Sequence, residues 1–213
     1  MRVAMIGATG LIGRALAPRI AASHDLLLIG RRAAGVKGAE ERVAPTAEWP
    51  QQLAGETIDV AISTLGTTIR QAGSWDAFRA VDVDAVLGFA RAAHKAGARQ
   101  FLCVSSVGAD PGARNRYLAM KGGAERDLAA IGYDRLDIIR PGLLRGDRGD
   151  DRRLGERIAI AVSPILNPLL RGPLDRFAAI DADRVAAAMA GLIGAAGDGR
   201  HILFNRELRR LGR

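Results

Sequence analysis

The chain has 213 residues, 48% of them hydrophobic, which is the size of one domain with an ample buried core. Its single cysteine, Cys103, excludes an internal disulfide and indicates a reducing compartment, for which we expect the cytoplasm. The net charge of +8 would suit a nucleic-acid partner, but the basic residues are scattered rather than gathered on one helix, so no specific nucleic acid is expected.

Short apolar runs alternate with helix-forming stretches along most of the chain. The predicted strands are 2–6, 26–30, 58–64, 100–106, 136–140 and 201–204, with a weaker one at 42–44. The predicted helices are 11–23, 74–97, 115–132 and 182–195. No apolar run reaches the length of about 18 residues that a transmembrane helix needs. The alternation predicts an α/β fold in which a doubly wound parallel sheet is covered by helices on both faces.

A glycine-rich segment, GATGLIG, follows the first strand directly and precedes the first helix. Gly7 would permit a tight turn, Gly10 would let a pyrophosphate approach the backbone, and Gly13 would let the helix pack close to the strand. The free N–H groups at the start of that helix favour a phosphate. We therefore predict a Rossmann-like dinucleotide site at this edge of the sheet, the alternative being a purely structural turn. The residues assigned to it are Gly7, Thr9, Gly10, Leu11, Ile12 and Gly13.

The second strand ends in Gly30, Arg31 and Arg32, at the position where NAD-binding proteins carry an Asp or Glu that holds the ribose hydroxyls. A guanidinium group can instead bind a 2′-phosphate through two hydrogen bonds. We therefore expect NADP(H) in preference to NAD(H), held by Arg31 and Arg32. Two solvated surface arginines are the alternative.

The loop after the strand at 58–64, STLGTT, is built mainly from small residues. Gly66 and its neighbours would let the backbone pass beneath the adenosine and ribose of the cofactor. We assign Leu65, Gly66 and Thr67 to the cofactor site, although taken alone the segment reads as an ordinary loop.

Tyr117 and Lys121 lie four positions apart on the helix that follows Ser105 and Ser106. Residues at i and i+4 share one helical face, so the phenol and the ammonium can point into one cleft. A nearby cation lowers the phenol pKa from about 10, which makes the phenol a usable acid or base near neutral pH. The pair therefore predicts proton transfer to a substrate oxygen during hydride transfer, and Lys121 is also expected to bind the ribose hydroxyls of the nicotinamide. The alternative is a half-buried tyrosine beside a surface lysine.

The segments GATGLIG, LIGRR, STLGTT, VSSVGAD, YLAMK and IIRPGLL occur in the order seen in short-chain dehydrogenases/reductases. Over about residues 1–190 the chain resembles the atypical branch of that family, the NADPH-binding oxidoreductases of the Tat-interacting-protein type and the NmrA-like proteins. The resemblance implies NADPH at the glycine loop and Tyr117 with Lys121 as the catalytic pair. It also implies Ser106 as the catalytic serine, with Ser105 in reserve. By the same resemblance, Pro141 and Leu143 lie near the nicotinamide.

The chain departs from that family at two places. Asp82 stands where many relatives place an asparagine that takes part in a proton relay. The segment between the strands at 26–30 and 58–64 is also too short for a full helix. The first departure leaves the proton relay without its asparagine, and the short segment fits the atypical branch, in which some members bind the cofactor without established turnover.

The C-terminal third carries fewer chemical signals. Residues 145–180 are predicted to cover the substrate as part of a single domain, 1–213, with a dimer face or a membrane-touching helix as the alternatives. The sequence is compatible with a homodimer. The tail NRELRRLGR is interpreted as a solvated terminus or as an anion-binding tail. The three histidines match no metal-ligand spacing, so no metal is expected.

Together these features predict an NADPH-dependent oxidoreductase that acts on a small carbonyl or alcohol substrate. One alternative is a non-catalytic NADP(H)-binding redox sensor or regulatory protein. Another is a nucleotide-sugar epimerase or dehydratase, which would keep NAD(H) bound and usually calls for an acidic residue after the second strand.

Overall fold

The computed structural model describes residues 1–146 and 172–212. The strands are β1 (Arg2–Ile6), β2 (Asp25–Gly30), β3 (Ala39–Val43), β4 (Val60–Ser63), β5 (Gln100–Val104), β6 (Arg135–Ile139), β7 (Leu144–Arg145), β8 (Ile180–Asp181) and β9 (Gly199–Leu203). The α-helices are α1 (Leu11–Ala21), α2 (Ile69–Ala72), α3 (Trp75–Arg79), α4 (Val86–Lys95), α5 (Arg116–Ala129), α6 (Ala182–Leu192) and α7 (Asn205–Leu211). A π-helical turn, Ala80–Ala85, joins α3 to α4, and 3-10 turns cover Thr46–Glu48, Pro50–Leu53 and Gly172–Phe177.

Seven strands form one parallel sheet in the order β3-β2-β1-β4-β5-β6-β9. From β1 the chain first proceeds outward to β2 and β3, and then resumes at β4 on the other side of β1. Such a reversal of strand order opens a crevice at the carboxyl ends of β1 and β4, where ligands of open α/β sheets bind. The predicted α/β, Rossmann-like doubly wound fold is confirmed.

Each face of the sheet has its own hydrophobic core, because successive side chains of a strand point to opposite faces. Val3 and Met5 of β1 belong to the core that also contains residues of α1 and α6. Ala4 and Ile6 belong to the opposite core, with residues of α4 and α5. Cys103 of β5 lies in this second core, and burial raises the pKa of its thiol to about 12, so the thiol is inert at neutral pH.

The predicted helix at 74–97 is divided into three parts. α3 passes into the π-helical turn before α4 completes the segment, and Gly97 follows in the left-handed conformation with φ +99°. Between β3 and β4 the chain makes only 3-10 turns, as its short length predicts. Trp49 closes this side, since its indole N–H donates to the carbonyl of Ala44 at 3.0 Å and its ring is buried.

The basic tail is not a solvated terminus, because it forms α7 and buries one face of that helix. Leu208 is fully buried, whereas Arg206 and Arg210 are exposed. Asn205 is also fully buried, and its side chain binds the backbone of three other residues. Its Oδ1 accepts from the N–H of Gly142 at 3.0 Å, and its Nδ2 donates to the carbonyls of Asp175 at 3.0 Å and Ala178 at 2.7 Å.

The substrate-covering segment predicted at 145–180 lies mostly outside the described residues. Its described ends form a second, two-stranded parallel sheet in which β7 pairs with β8. The 3-10 turn Gly172–Phe177 precedes β8 and is held by Asn205 through the carbonyl of Asp175. The end that includes Asp175 and Ala178 is therefore attached to α7 through Asn205.

Replacing Asn205 by Ala should lower the free energy of unfolding by about 2–4 kcal/mol, because one buried and two partly buried hydrogen bonds to the backbone are lost. Arg206→Ala, at the exposed neighbouring position, should change it by less than about 0.5 kcal/mol. Urea denaturation followed by circular dichroism measures both. Equal effects of the two substitutions would show that Asn205 does not stabilise this part of the fold.

Candidate functional site

The glycine loop after β1 is so closely packed that a side chain at Gly7 or Gly13 would clash with neighbouring backbone atoms. Gly7 has φ +87°, and a Cβ there would lie 2.8 Å from the backbone nitrogen of Leu65. A Cβ on Gly13 would lie 2.1 Å from the carbonyl oxygen of Gly7, so α1 packs directly on the loop. Gly10 is the N-cap of α1 and supplies no side-chain hydrogen bond, which leaves the first N–H groups of the helix available to an anion.

Two adjoining cavities run along the carboxyl edge of the sheet beside this loop. The first has a volume of about 370 Å³ and the second of about 390 Å³. Thr9, Arg32 and Leu65 line both, so the two form one continuous groove. The predicted cofactor residues on its walls are Gly7, Thr9, Gly10, Leu11, Ile12, Arg31, Arg32, Leu65, Gly66, Thr67 and Lys121.

Some predicted site residues lie elsewhere. Gly13 packs beneath the loop rather than on a cavity wall. Pro141 is buried and Leu143 is exposed, and the neighbouring Leu144 lines the second cavity instead. The structure therefore does not bring Pro141 or Leu143 to the described cavity walls, because β7 begins at Leu144 and turns that residue toward the groove.

Glu41 and Trp49 line the first cavity and were missed by the sequence analysis. The carboxylate of Glu41 accepts the N–H groups of Ala34 at 2.6 Å and Val36 at 2.8 Å. These bonds fix the loop that follows Arg31 and Arg32. No local signal distinguishes Glu41, since its role arises from the pairing of β3 with β2.

Lys121 is buried and forms an ion pair with Asp82, whose side chain is fully buried. The Nζ of Lys121 lies 2.7 Å from Oδ1 of Asp82, and Oδ2 of Asp82 accepts the N–H of Thr67 at 2.9 Å. Burial lowers the pKa of Lys121, but the charges of Asp82 and then Tyr117 outweigh it, so the pKa is raised above 10.5. The stabilisation is therefore present at neutral pH and is lost only when the pH rises through this raised value.

Tyr117 shares the wall of the second cavity with Lys121. Its ring packs against Phe78 of α3, with the ring centroids 5.5 Å apart. One turn further, Gly122 permits α5 to approach the preceding loop, since a Cβ there would lie 2.3 Å from the carbonyl carbon of Asp110. The helix that carries the pair is thus fixed on two sides.

Ser105 lines the second cavity, and Ser106 is not among the described residues of its wall. The hydroxyl of Ser106 donates to the carbonyl of Val107 at 3.3 Å. The hydroxyl of Ser105 donates to Oε1 of the buried Glu125. Because adjacent residues at a strand end point in different directions, only one serine can face the groove, and the geometry favours Ser105 over the predicted Ser106.

Comparison with known proteins places this geometry in a family. A family model described as NAD(P)H-binding matches residues 7–161, which include the glycine loop, Tyr117 and Lys121. The chain belongs to the NAD(P)H-binding family. The resemblance to atypical short-chain dehydrogenases/reductases is confirmed at this level. The protein named FMP52, mitochondrial, from Coccidioides immitis is 30% identical to the chain and aligns with 99% of it and 96% of the relative.

A further relative supports the family, and two solved structures share the fold. An fmp52 protein of Aspergillus fumigatus, also named mitochondrial, is 32% identical over 92% of the chain and 89% of the relative. The UDP-glucose 4-epimerase of Thermus thermophilus, solved with NAD, has a TM-score of 0.70 and 18% identity over 99% of the chain and 81% of the epimerase. MoeE5 in complex with UDP-glucuronic acid and NAD has a TM-score of 0.71 and 18% identity over 95% of the chain and 75% of MoeE5.

The cytoplasmic location expected from the sequence is contradicted by these relatives, which are named mitochondrial proteins. A single cysteine excludes an internal disulfide, but it does not distinguish one reducing compartment from another. Within residues 1–146 and 172–212, no helix is both long and apolar enough to cross a membrane. The same residues contain no cluster of three or more His, Cys, Asp or Glu side chains that could hold a metal ion.

Asp82→Asn should lower the free energy of unfolding at pH 7 by about 3–5 kcal/mol, because the substitution leaves the buried ammonium of Lys121 unpaired. Asp84→Asn is the matched control two residues away. Asp84 pairs with Arg79 at 3.5 Å on the surface, and its loss should cost less than about 1 kcal/mol. Chemical denaturation of the two variants checks the difference, and similar midpoints would mean that the buried pair contributes little.

Proposed function

We propose that this NAD(P)H-binding protein is an NADPH-dependent oxidoreductase that transfers hydride to or from a small carbonyl or alcohol substrate. The observation that carries the proposal is the position of Tyr117 and Lys121 on the wall of the groove that begins at the glycine loop. The bound cofactor would supply the hydride at its nicotinamide ring. Tyr117 would exchange the proton with the substrate oxygen, as general acid in one direction and general base in the other.

The groove suits a dinucleotide in its backbone and its charges. Only glycine fits at positions 7 and 13, because a side chain there would clash with neighbouring backbone atoms. Together with the start of α1, where Gly10 provides no side-chain cap, this loop can hold a pyrophosphate. Arg31 and Arg32 line the end of the groove that would hold the adenosine. Of the described residues around that cavity, Glu41 alone carries a carboxylate, and it is bonded to backbone N–H groups. These features support binding of a 2′-phosphate and hence a preference for NADP(H).

The ion pair of Lys121 bears on the acid–base step. The paired carboxylate of Asp82 offsets part of the field that the ammonium of Lys121 exerts at the phenol. Asp82 holds Lys121 and the Thr67 amide directly, in the place where a relay asparagine was expected. We assign Asp82 to the positioning of Lys121, which could in turn bind the ribose hydroxyls beside the nicotinamide. Residues 145–180 as the substrate cover, the single domain 1–213 and a homodimer stay predictions.

Tyr117→Phe should lower kcat by about 10²–10⁴-fold with little change in the Kd for NADPH, because it removes only the proton donor. Tyr133→Phe is the control, since Tyr133 is the other tyrosine of the chain and its hydroxyl donates to the carbonyl of Ala90 at 2.6 Å, within the second core. NADPH oxidation is followed by its absorbance with a panel of aldehydes and ketones. A protein that binds NADPH and reduces no member of the panel would instead support the non-catalytic alternative.

The double substitution Arg31→Ala with Arg32→Ala should raise the Kd for NADPH by roughly 10–100-fold, since charge-assisted hydrogen bonds to the phosphate contribute about 1.5–3 kcal/mol. The Kd for NADH should change less than about twofold. Arg91→Ala, on α4 and away from the groove, serves as the control for lost positive charge. Calorimetric titration measures each constant, and equal losses for the two cofactors would contradict the phosphate contact.

A further inference from the structure

Ser105, Glu125 and the partly buried Arg140 form a cluster at the wall of the second cavity. Glu125 is 4% exposed and Ser105 is 8% exposed. The guanidinium of Arg140 binds Glu125 through two hydrogen bonds, from Nε to Oε1 at 3.0 Å and from Nη2 to Oε2 at 2.5 Å. The hydroxyl of Ser105 donates to the same Oε1. Glu125 thus joins the end of β5 to the residue that follows β6.

The protonation states of this cluster determine the direction of the serine hydrogen bond. Arg140 is always protonated, and its two-pronged contact favours an ionised Glu125. An ionised carboxylate can only accept hydrogen bonds. The hydrogen of the Ser105 hydroxyl is therefore engaged by Glu125. Only the lone pairs of the Ser105 oxygen stay available to a molecule in the groove, so Ser105 can accept a hydrogen bond there and cannot donate one.

We infer that Glu125 is a positioning residue that makes Ser105 an acceptor, and that the substrate is a carbonyl compound with a hydroxyl group on the neighbouring carbon. This inference rests on the proposed function and names its substrate class. Tyr117 would donate to the carbonyl oxygen, while Ser105 accepts from the adjacent hydroxyl. The same wall holds both residues.

The reaction then balances without a further reactant. Hydride from NADPH forms a C–H bond at the carbonyl carbon, the C=O π bond breaks, and the proton of Tyr117 forms the new O–H bond. NADPH is oxidised to NADP⁺ and the hydroxy ketone or hydroxy aldehyde is reduced to a vicinal diol. Solvent returns a proton to Tyr117. Ser105 and Glu125 keep their protonation states throughout.

Glu125→Gln tests the inference because an amide NH₂ group can donate to the Ser105 oxygen, which would reverse the direction of this hydrogen bond. To donate to Ser105, the NH₂ group would have to take the place of Oε1, where the hydrogen bond from Nε of Arg140 is lost, and the amide oxygen would accept from Nη2 of Arg140 alone. The Ser105 hydroxyl would then be free to donate into the groove. The probes are 2-hydroxyacetophenone and 2-methoxyacetophenone, which differ in one hydrogen-bond donor. Their kcat/KM values with NADPH are measured for the wild type, Glu125→Gln and Ser105→Ala.

We expect the wild type to favour the hydroxy ketone by roughly tenfold, as one hydrogen bond allows. Glu125→Gln should bring this ratio close to one or invert it, with an unchanged Kd for NADPH. Ser105→Ala should also remove the preference and tests it independently if Glu125→Gln folds poorly. Asp127→Asn, at a surface ion pair on the same helix, should keep the wild-type ratio.

Two outcomes would overturn the inference. One is equal kcat/KM for both ketones in a wild type whose activity Tyr117→Phe abolishes, which would leave the proposed function standing. The other is an equal fall for both ketones in Glu125→Gln, which indicates a structural role only. If the wild type reduces neither ketone, the proposed function fails on these probes. In that case the Kd of each ketone is measured for the protein with NADP⁺ bound. A Kd about tenfold lower for the hydroxy ketone would support Ser105 as a hydrogen-bond acceptor, and equal Kd values would refute that role.

Discussion

The buried ion pair between Asp82 and Lys121 is the interaction on which the arrangement of the site depends. It joins the π-helical turn to α5 and, through the amide of Thr67, to the loop after β4. Taking two charges out of water is costly, and the hydrogen bond from the N–H of Thr67 to Oδ2 of Asp82 offsets part of that cost. Three separate segments thus meet at this ion pair. π-helical turns are frequent at functional sites, and this one carries the aspartate.

A single face of α5 brings the chemistry of the groove together. Tyr117, Lys121 and Glu125 follow one another at intervals of four residues and therefore lie one above the other. Each contacts a different part of the fold: the phenol packs on α3, the ammonium binds the π-helical turn, and the carboxylate binds Ser105 and Arg140. The helix is thus held along its length by an aromatic contact and two buried charged groups, which limits the movement of the phenol.

The fold was predictable because its signals are local: apolar strands, the helix-forming stretches between them, and glycines at fixed spacing after the first strand. Most residues along the groove were predictable too, since the carboxyl ends of parallel strands share one edge. The partners of Asp82, the role of Glu125 and the burial of Asn205 were not predicted, because those roles come from residues far apart in the chain. The sequence alone could not decide between Ser105 and Ser106 for the same reason, since a distant glutamate distinguishes them.

Asn205 connects the last described helix to the backbone just after β6. β9 and α7 follow all other described elements along the chain, and β9 completes the sheet next to β6. The ribosome therefore produces the glycine loop and α5 well before the segment that holds Gly142 in place. Until β9 has been synthesised, one edge of β6 therefore lacks its neighbouring strand, and that edge is exposed while the rest of the sheet can already form.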